Sequence, residues 1–348
     1  MIDTNRLTRV ITEEDIRSVR EEGKLSSIAM RIPTSCNLKC GYCYGKIESR
    51  ENSLLFEEIK HVLQQGAELG ARTVSVVGEG EPLLYPHFRE FVEYVDSLGM
   101  VPTIYSNCTL VDDKIAQFMY KHNVTMIGKQ NALTPKKQSE ISGCENAGAQ
   151  VLIGLGILMN TGFATTKPSR FGIHTVVIKD NLRELLDMWR NWRRQNILPQ
   201  VQALVYPSRR QEPKYFDYYR QNAPSPRAIR VLFEELSKID RVEFGINWDP
   251  LLAYPIAPDS CRVHCGSVGI TQEGNVQICN FTEDSLGNIR KNSLREILLL
   301  DKVKRIRTVG EELGYPGGRY GCRAHAFNFT GDRFGRDPFY DSFLSNGV

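Results

Sequence analysis

The sequence predicts an α/β fold: a partial (β/α)6-type TIM barrel with a small C-terminal α+β module. Three observations predict it. Short β-rich runs alternate with helix-period stretches from residue 27 onward, the alternation breaks near Ala253, and seven of the nine cysteines form two groups, one in each part. Strands of Val, Ile and Leu that alternate with helices argue for parallel β/α units. A barrel of such units carries its active site at the C-terminal strand ends.

The expected strands are SIAMRIP (27–33), TVSVVG (73–78), VPTIYS (101–106) and VTMIG (124–128). VLIGLGIL (151–158), IHTVVI (173–178), QVQALVYP (200–207) and RVEFGIN (241–247) continue the series. Between them, FEEIKHVLQQGAELG and NLRELLDMWRNWRRQ repeat apolar residues at helical spacing. After residue 250, Gln272-Glu273-Gly274-Asn275 is a hairpin signal between two short strands. A helix over Ser293–Arg307 and a glycine-rich, aromatic tail from Gly310 follow. The expected division is a 1–26 extension, a 27–250 barrel and a 251–348 module.

Charged residues make up 24% of the 348, the net charge is +3, and no run of five or six like charges occurs. Neither a nucleic-acid tail nor a polybasic membrane anchor is therefore expected. Arg190 to Arg194 read as the solvated face of an amphipathic helix. The N-terminus is polar, with no signal peptide, and no apolar stretch reaches the roughly 18 residues of a membrane span. The expectation is a soluble, cytoplasmic protein with reduced thiols, for which metal binding is the better use of its cysteines.

Cys36, Cys40 and Cys43 follow the first strand in CNLKCGYC. Three thiolates can wrap one face of a cubic iron–sulfur cluster and leave its fourth iron without a protein ligand. A structural zinc site or a ferredoxin-like cluster is the alternative, although zinc prefers four ligands and no fourth Cys or His lies nearby in sequence. CNLKCGYC resembles the Cys-x3-Cys-x2-Cys signature of the radical S-adenosylmethionine (SAM) superfamily, including the aromatic Tyr42 before the last cysteine. The resemblance implies a [4Fe–4S] cluster whose open iron chelates SAM, and reductive cleavage of SAM to a 5′-deoxyadenosyl radical.

Gly78-Glu79-Gly80-Glu81-Pro82, after the second strand, resembles the superfamily's Gly-Gly-Glu-Pro segment, with Glu79 in place of its first glycine. By that resemblance Gly78, Gly80, Glu81 and Pro82 receive the SAM ammonium. Read alone, the segment is an ordinary Gly/Pro turn. Ser106-Asn107 resembles the family's Thr-Asn-Gly segment, with Cys108 where glycine is common, and Arg170 enters a strand that by resemblance borders SAM.

Cys261, Cys265, Cys279 and Cys322 form the second group. Cys261 and Cys279 flank the expected hairpin, as in the SPASM and twitch modules appended to many radical SAM enzymes, and the segment around Cys322 resembles the end of a SPASM module. Four cysteines imply a single auxiliary [4Fe–4S] cluster without a vacancy, an electron relay. His264 or His325 is a possible replacement ligand, and four thiolates suit zinc equally well.

The resemblance implies an enzyme that abstracts hydrogen from a small polar substrate, of sugar, aminocyclitol or nucleoside type, giving dehydrogenation, epimerisation or a related conversion. A peptide substrate is the alternative, and an electron carrier or zinc protein is the non-enzyme reading. An external reductant such as flavodoxin or ferredoxin is implied. Substrate-facing candidates are Lys129 and Asn131, then Gln202, Asn247 and Asp249. Cys108 is a candidate hydrogen-atom donor, and like Cys144 it reads otherwise as a small buried hydrophobe.

Overall fold

The computed structural model describes residues 18, 21–43, 52–206, 213–252, 266–282, 284–312 and 321–345. Six parallel strands run in chain order: β1 (Ser27–Met30), β2 (Thr73–Val76), β3 (Val101–Ser106), β4 (Thr125–Lys129), β5 (Phe171–Val177) and β6 (Leu198–Ala203). Helices α1 (Phe56–Glu68), α2 (Phe88–Ser97), α3 (Asp113–Lys121), α4 (Pro135–Ser142), α5 (Ala147–Thr161) and α6 (Glu184–Arg194) connect them. This is an open half-barrel of β/α units, as the alternation predicts. Every residue of β5 and β6 is buried, the pattern of a parallel strand covered on both faces.

The C-terminal module extends the same sheet. β7 (Ser267–Ile270) pairs parallel with β1, and β8 (Asn275–Gln277) and β9 (Gly287–Asn288) add antiparallel to it. Gly274 turns the expected hairpin at φ 82°. The hairpin therefore lies directly beside the strand that leads into CNLKCGYC. Helices α7 (Pro213–Asn222) and α8 (Pro226–Ile239) precede it. Helices α9 (Leu294–Leu298), α10 (Asp301–Glu312), α11 (Arg323–Thr330) and α12 (Pro338–Leu344) follow.

Four expectations are corrected. Residues 151–158 are helical, within α5. A continuous apolar run does not separate strand from helix by periodicity, and here Val151, Leu155 and Leu158 share one buried face while Ile153 is exposed. Residues 241–247 form no strand either: α8 runs into a π-helical turn, Asp240–Phe244. That turn is pinned by Asp240, fully buried, which accepts from Trp189 Nε1 at 2.7 Å, Arg193 Nε at 2.9 Å and Trp248 Nε1 at 2.9 Å. Arg193 is accordingly an inward ion-pair partner and not part of a solvated face. The expected helix over Ser293–Arg307 is two helices, α9 capped by Ser293 and α10 starting at Asp301.

Among the described residues no single helix is long and apolar enough to cross a membrane. Helices α4 and α5 reach that composition only together, with a bend of 111° between them.

Candidate functional site

A cavity of about 480 Å³ opens at the C-terminal ends of the parallel strands. Cys36, Cys40 and Cys43 line it with Tyr42, as do Gly78, Gly80, Glu81, Pro82, Ser106, Asn107 and Lys129. Chemistry that the sequence placed on four separate loops thus meets in one space.

Two contacts shape the cysteine loop. Lys39 N–H donates to the carbonyl of Ser142 at 3.0 Å, and the left-handed Gly143 abuts the Lys39 carbonyl where a β-carbon would overlap it. At Gly41 the Tyr218 ring of α7 occupies the space of a β-carbon, so a larger residue would displace the ring or the loop. Burial pushes the Cys36 thiol up to about 11 and the Cys40 thiol up to about 12. Cys144, half-buried, donates its thiol to the Asn37 carbonyl at 3.6 Å, beside the loop but outside the cavity lining.

Glu81 ties this loop to two strand ends. It is 1% exposed. Its N–H donates to the Ser35 carbonyl at 2.7 Å, and its carboxylate accepts from Ser106 Oγ at 2.8 Å, Asn107 N at 2.8 Å and Leu83 N at 3.2 Å. Burial raises the carboxyl to about 7, against those three hydrogen bonds. Gly80 sits at φ 82°, and a β-carbon there would come within 2.5 Å of Thr34 Cγ2 and 2.8 Å of the Ser35 carbonyl. Only glycine allows this approach to the loop.

A polar chain also lines the cavity. Lys129 Nζ lies 2.6 Å from His174 Nδ1, and His174 Nε2 lies 2.8 Å from Gln202 Oε1. With Nε2–H donating to the Gln202 oxygen, Nδ1 is the acceptor for the Lys129 ammonium. Burial pulls His174 well below its ordinary value and Lys129 down to about 8, while Cys43 and Cys40 push Lys129 back up.

The remaining candidates separate. Cys108 is fully buried in the core. Its Sγ faces the Gly128 position, its carbonyl abuts Gly154 of α5, and it does not line the cavity. Cys108, the candidate hydrogen-atom donor, has a positive φ of 63° and directs its thiol to the Ser106 carbonyl at 3.5 Å. Asn131 is also fully buried and outside the lining. It donates to the Tyr42 hydroxyl at 2.9 Å and accepts from Val176 N at 2.9 Å, so it supports Tyr42 and does not face a substrate. Arg170 lies just before β5, at the strand's N-terminal end and away from the cavity. It donates to the carbonyls of Val124 and Tyr120 and stacks on the Tyr120 ring, holding the turn between α3 and β4. Asn247 and Asp249 follow the π-helical turn and do not line the cavity; Gln202 does.

Of the second group, Cys261 and Cys265 lie outside the described residues, as does His264. Cys279 follows β8, and Cys322 is buried at the start of α11, where its N–H donates to Asp337 Oδ2 at 2.8 Å. Burial raises the Cys279 thiol, against the Phe281 N–H that it accepts and the charges of Arg333 and Arg31, which lower it. A sulfur that feels two guanidinium charges suits an anionic thiolate cluster. His325 lies 3.8 Å from Asp337, a structural partner for it.

Among the described residues no three His, Cys, Asp or Glu side chains gather as ligands of one ion would. Thiolates of a cubic cluster each take a different iron and stand wider apart. The donor set at Cys36, Cys40 and Cys43 fits such a cluster: three thiols line one cavity that also offers the polar groups of Glu81, Ser106 and Asn107 to a ligand of the fourth iron.

Family comparison agrees with this geometry. The model of the radical SAM superfamily matches residues 30–134, and that of the SPASM iron–sulfur cluster-binding domain matches residues 261–322. The chain carries a radical SAM domain and a SPASM iron–sulfur domain. Those domains imply SAM, its [4Fe–4S] cluster and auxiliary iron–sulfur binding. An AdoMet-dependent heme synthase of Methanosarcina barkeri is 23% identical, over 90% of this chain and 95% of its own length. Among solved structures, anSMEcpe with bound AdoMet and Cp18Cys peptide matches at a TM-score of 0.68, with 17% identity over 91% of this chain and 94% of that one. Streptococcus suis SuiB bound to S-adenosylmethionine matches at 0.65, with 16% identity over 94% and 80%. These two likenesses are of fold.

Residues that sequence reading missed include Arg31, Glu79 as a pair-former, His174 and Tyr218. His174 carried a signal, as the one ionisable residue in an otherwise apolar strand, FGIHTVV. Tyr218 carried none, since its contact with Gly41 depends on where α7 docks.

Proposed function

We propose that this radical SAM enzyme abstracts hydrogen from a small polar substrate of sugar, aminocyclitol or nucleoside type, bound against Lys129. When bound, the cluster and SAM supply one-electron cleavage to a 5′-deoxyadenosyl radical. Cys36, Cys40 and Cys43 hold that cluster, and the segments at Gly78–Pro82 and Ser106–Asn107 form the SAM side of the cavity. Cys279 and Cys322, with Cys261 and Cys265, hold the auxiliary cluster. The barrel takes residues 27–250 and the cluster module 251–348, with 1–26 as an extension.

The observation that carries the reading is the Lys129–His174–Gln202 chain, which lines the same cavity as Cys40 and Cys43. A lysine held there by a neutral imidazole can bind a substrate oxygen and, as the neutral amine, take its proton once loss of hydrogen at the adjacent carbon acidifies it. The size of the cavity, shared with SAM, lies within the range of small-molecule sites. An auxiliary cluster held at Cys279 and Cys322 would offer an acceptor for the electron that such a substrate releases, and an external reductant of flavodoxin or ferredoxin type would supply the electron for SAM cleavage.

The test is 5′-deoxyadenosine release by anaerobically reconstituted protein, with panels of aminocyclitols, sugars and nucleosides, then a cysteine-containing peptide and an iron porphyrin. Stimulation by a member of the first panels supports the proposal. Stimulation by the peptide or the porphyrin alone replaces it with a maturase or a tetrapyrrole-processing reading.

A further inference from the structure

Position 79 is where the SAM-side segment departs from glycine, and the structure gives the departure a partner. Glu79 Oε1 lies 3.1 Å from Arg31 Nη1, with side chains 12% and 10% exposed. The guanidinium continues past this pair: Arg31 Nη2 donates to the carbonyl of Asn280, the residue after Cys279. Its Nε is buried and without a partner among the described residues. Gly78, at φ 116°, leaves room for this reach, since a β-carbon there would lie 3.1 Å from Arg31 Cγ. Arg31 thus starts just after β1, before the cysteine loop, and ends one residue from Cys279.

Cys279 has a second cationic neighbour, Arg333, held by Thr282 Oγ1 at 2.9 Å and by Asp284 Oδ1. Arg333 carries its own carboxylate from the module. Arg31 takes its carboxylate from the SAM-side segment. Charge near Cys279 is therefore set partly by a residue of the other site.

We propose that the Arg31–Glu79 pair is an electrostatic control on the auxiliary cluster, in which Arg31 stabilises the reduced, more negative form and Glu79 attenuates that effect. The proposal rests on reading Cys279 as a ligand of that cluster. In a buried setting a single charge acts strongly over a few ångströms, because little water screens it. A simple brace between β1 and β2 differs in consequence: deleting either partner of a brace breaks the same contact, so both deletions act in the same direction.

The experiment is a redox titration of the full reconstituted chain followed by electron paramagnetic resonance. The auxiliary signal is assigned in a background carrying Cys36→Ala, Cys40→Ala and Cys43→Ala. The expected result is a lower auxiliary potential in Arg31→Met, a higher one in Glu79→Gln, and a value near wild type in Arg31→Lys. Shifts of the same sign in Arg31→Met and Glu79→Gln, or no shift in either, overturn the proposal. If Arg31→Met does not retain the cluster, the sign in Glu79→Gln decides alone. Iron content separates the two layers: no auxiliary iron in the triple-alanine background overturns the ligand reading and this proposal with it, whereas iron present with an unmoved potential overturns this proposal only.

Discussion

The Glu81 carboxylate accepts the backbone N–H of Asn107 at 2.8 Å, which joins the segment after β2 to the end of β3 beneath the cysteine loop. The carboxylate receives three donors and is itself buried. Glu81→Gln keeps the shape but turns one acceptor into an NH2 group, which faces an N–H it cannot bond. An unsatisfied buried pair of this kind costs about 1–3 kcal/mol. The expected outcome is at least a tenfold weaker SAM affinity by equilibrium binding, with iron content retained. Unchanged SAM affinity would show that the carboxylate is dispensable for the SAM side of the cavity.

The Tyr218 ring fills the space above Gly41, between Cys40 and Tyr42. Gly41→Ala forces the ring or the loop to move, and overpacking of this kind costs about 1–3 kcal/mol. Because the loop carries the three thiols, the expected loss is of SAM-cluster iron and not of overall fold. The variant should show reduced iron per chain with wild-type far-ultraviolet circular dichroism. Tyr218→Ala combined with Gly41→Ala should restore part of the iron, since the added methyl then has room.

These two contacts mark the boundary of what the sequence discloses. CNLKCGYC and Gly80-Glu81-Pro82 were legible because their chemistry is encoded in contiguous spacing, and the six barrel strands because each is a compact apolar run between helical periods. Residues 151–158 misled because an all-apolar run has no period to read, and residues 241–247 because the pull of Asp240 on Trp189, Arg193 and Trp248 is invisible without the fold. Cys108 and Arg170 were placed at the site by their neighbours in sequence. The first directs its thiol to the Ser106 carbonyl, and the second sits at the wrong end of its strand.

The Lys129–His174 chain predicts a split between SAM cleavage and product formation. Lys129→Met and His174→Phe should retain 5′-deoxyadenosine release within about threefold while product falls by about a hundredfold, the lower end for a missing general base. The neutral amine is the active form, so product formation should rise with pH. The limb should lie near pH 8, where burial brings the Lys129 amine down from its ordinary 10.5. His174→Gln, which restores an acceptor, should recover part of the product. Equal loss of 5′-deoxyadenosine and product in all three variants would assign the chain to SAM binding instead.

Outside the cavity, Arg290 clamps the module to the barrel. Its Nε and Nη2 reach the Glu58 carboxylate at 2.6 and 2.8 Å, and Nη1 donates to the Asn52 carbonyl at 2.9 Å. Glu58 lies on α1 and Arg290 just after β9, so the pair spans the two parts of the chain. Hydrogen bonds from Arg290 hold the carboxyl down at about 2, from an ordinary 4.5. A depressed carboxyl contributes stability that is full above the unfolded value and is lost as pH falls through the folded one. The pair is partly solvated, which keeps its contribution on the order of 1 kcal/mol. In chains stripped of iron, so that acid release of clusters does not intervene, Glu58→Gln should lower the urea midpoint at pH 6. That deficit should shrink steadily between about pH 4.5 and pH 2. A deficit that stays constant across this range would mean that the clamp acts through packing and not through the ionised carboxylate.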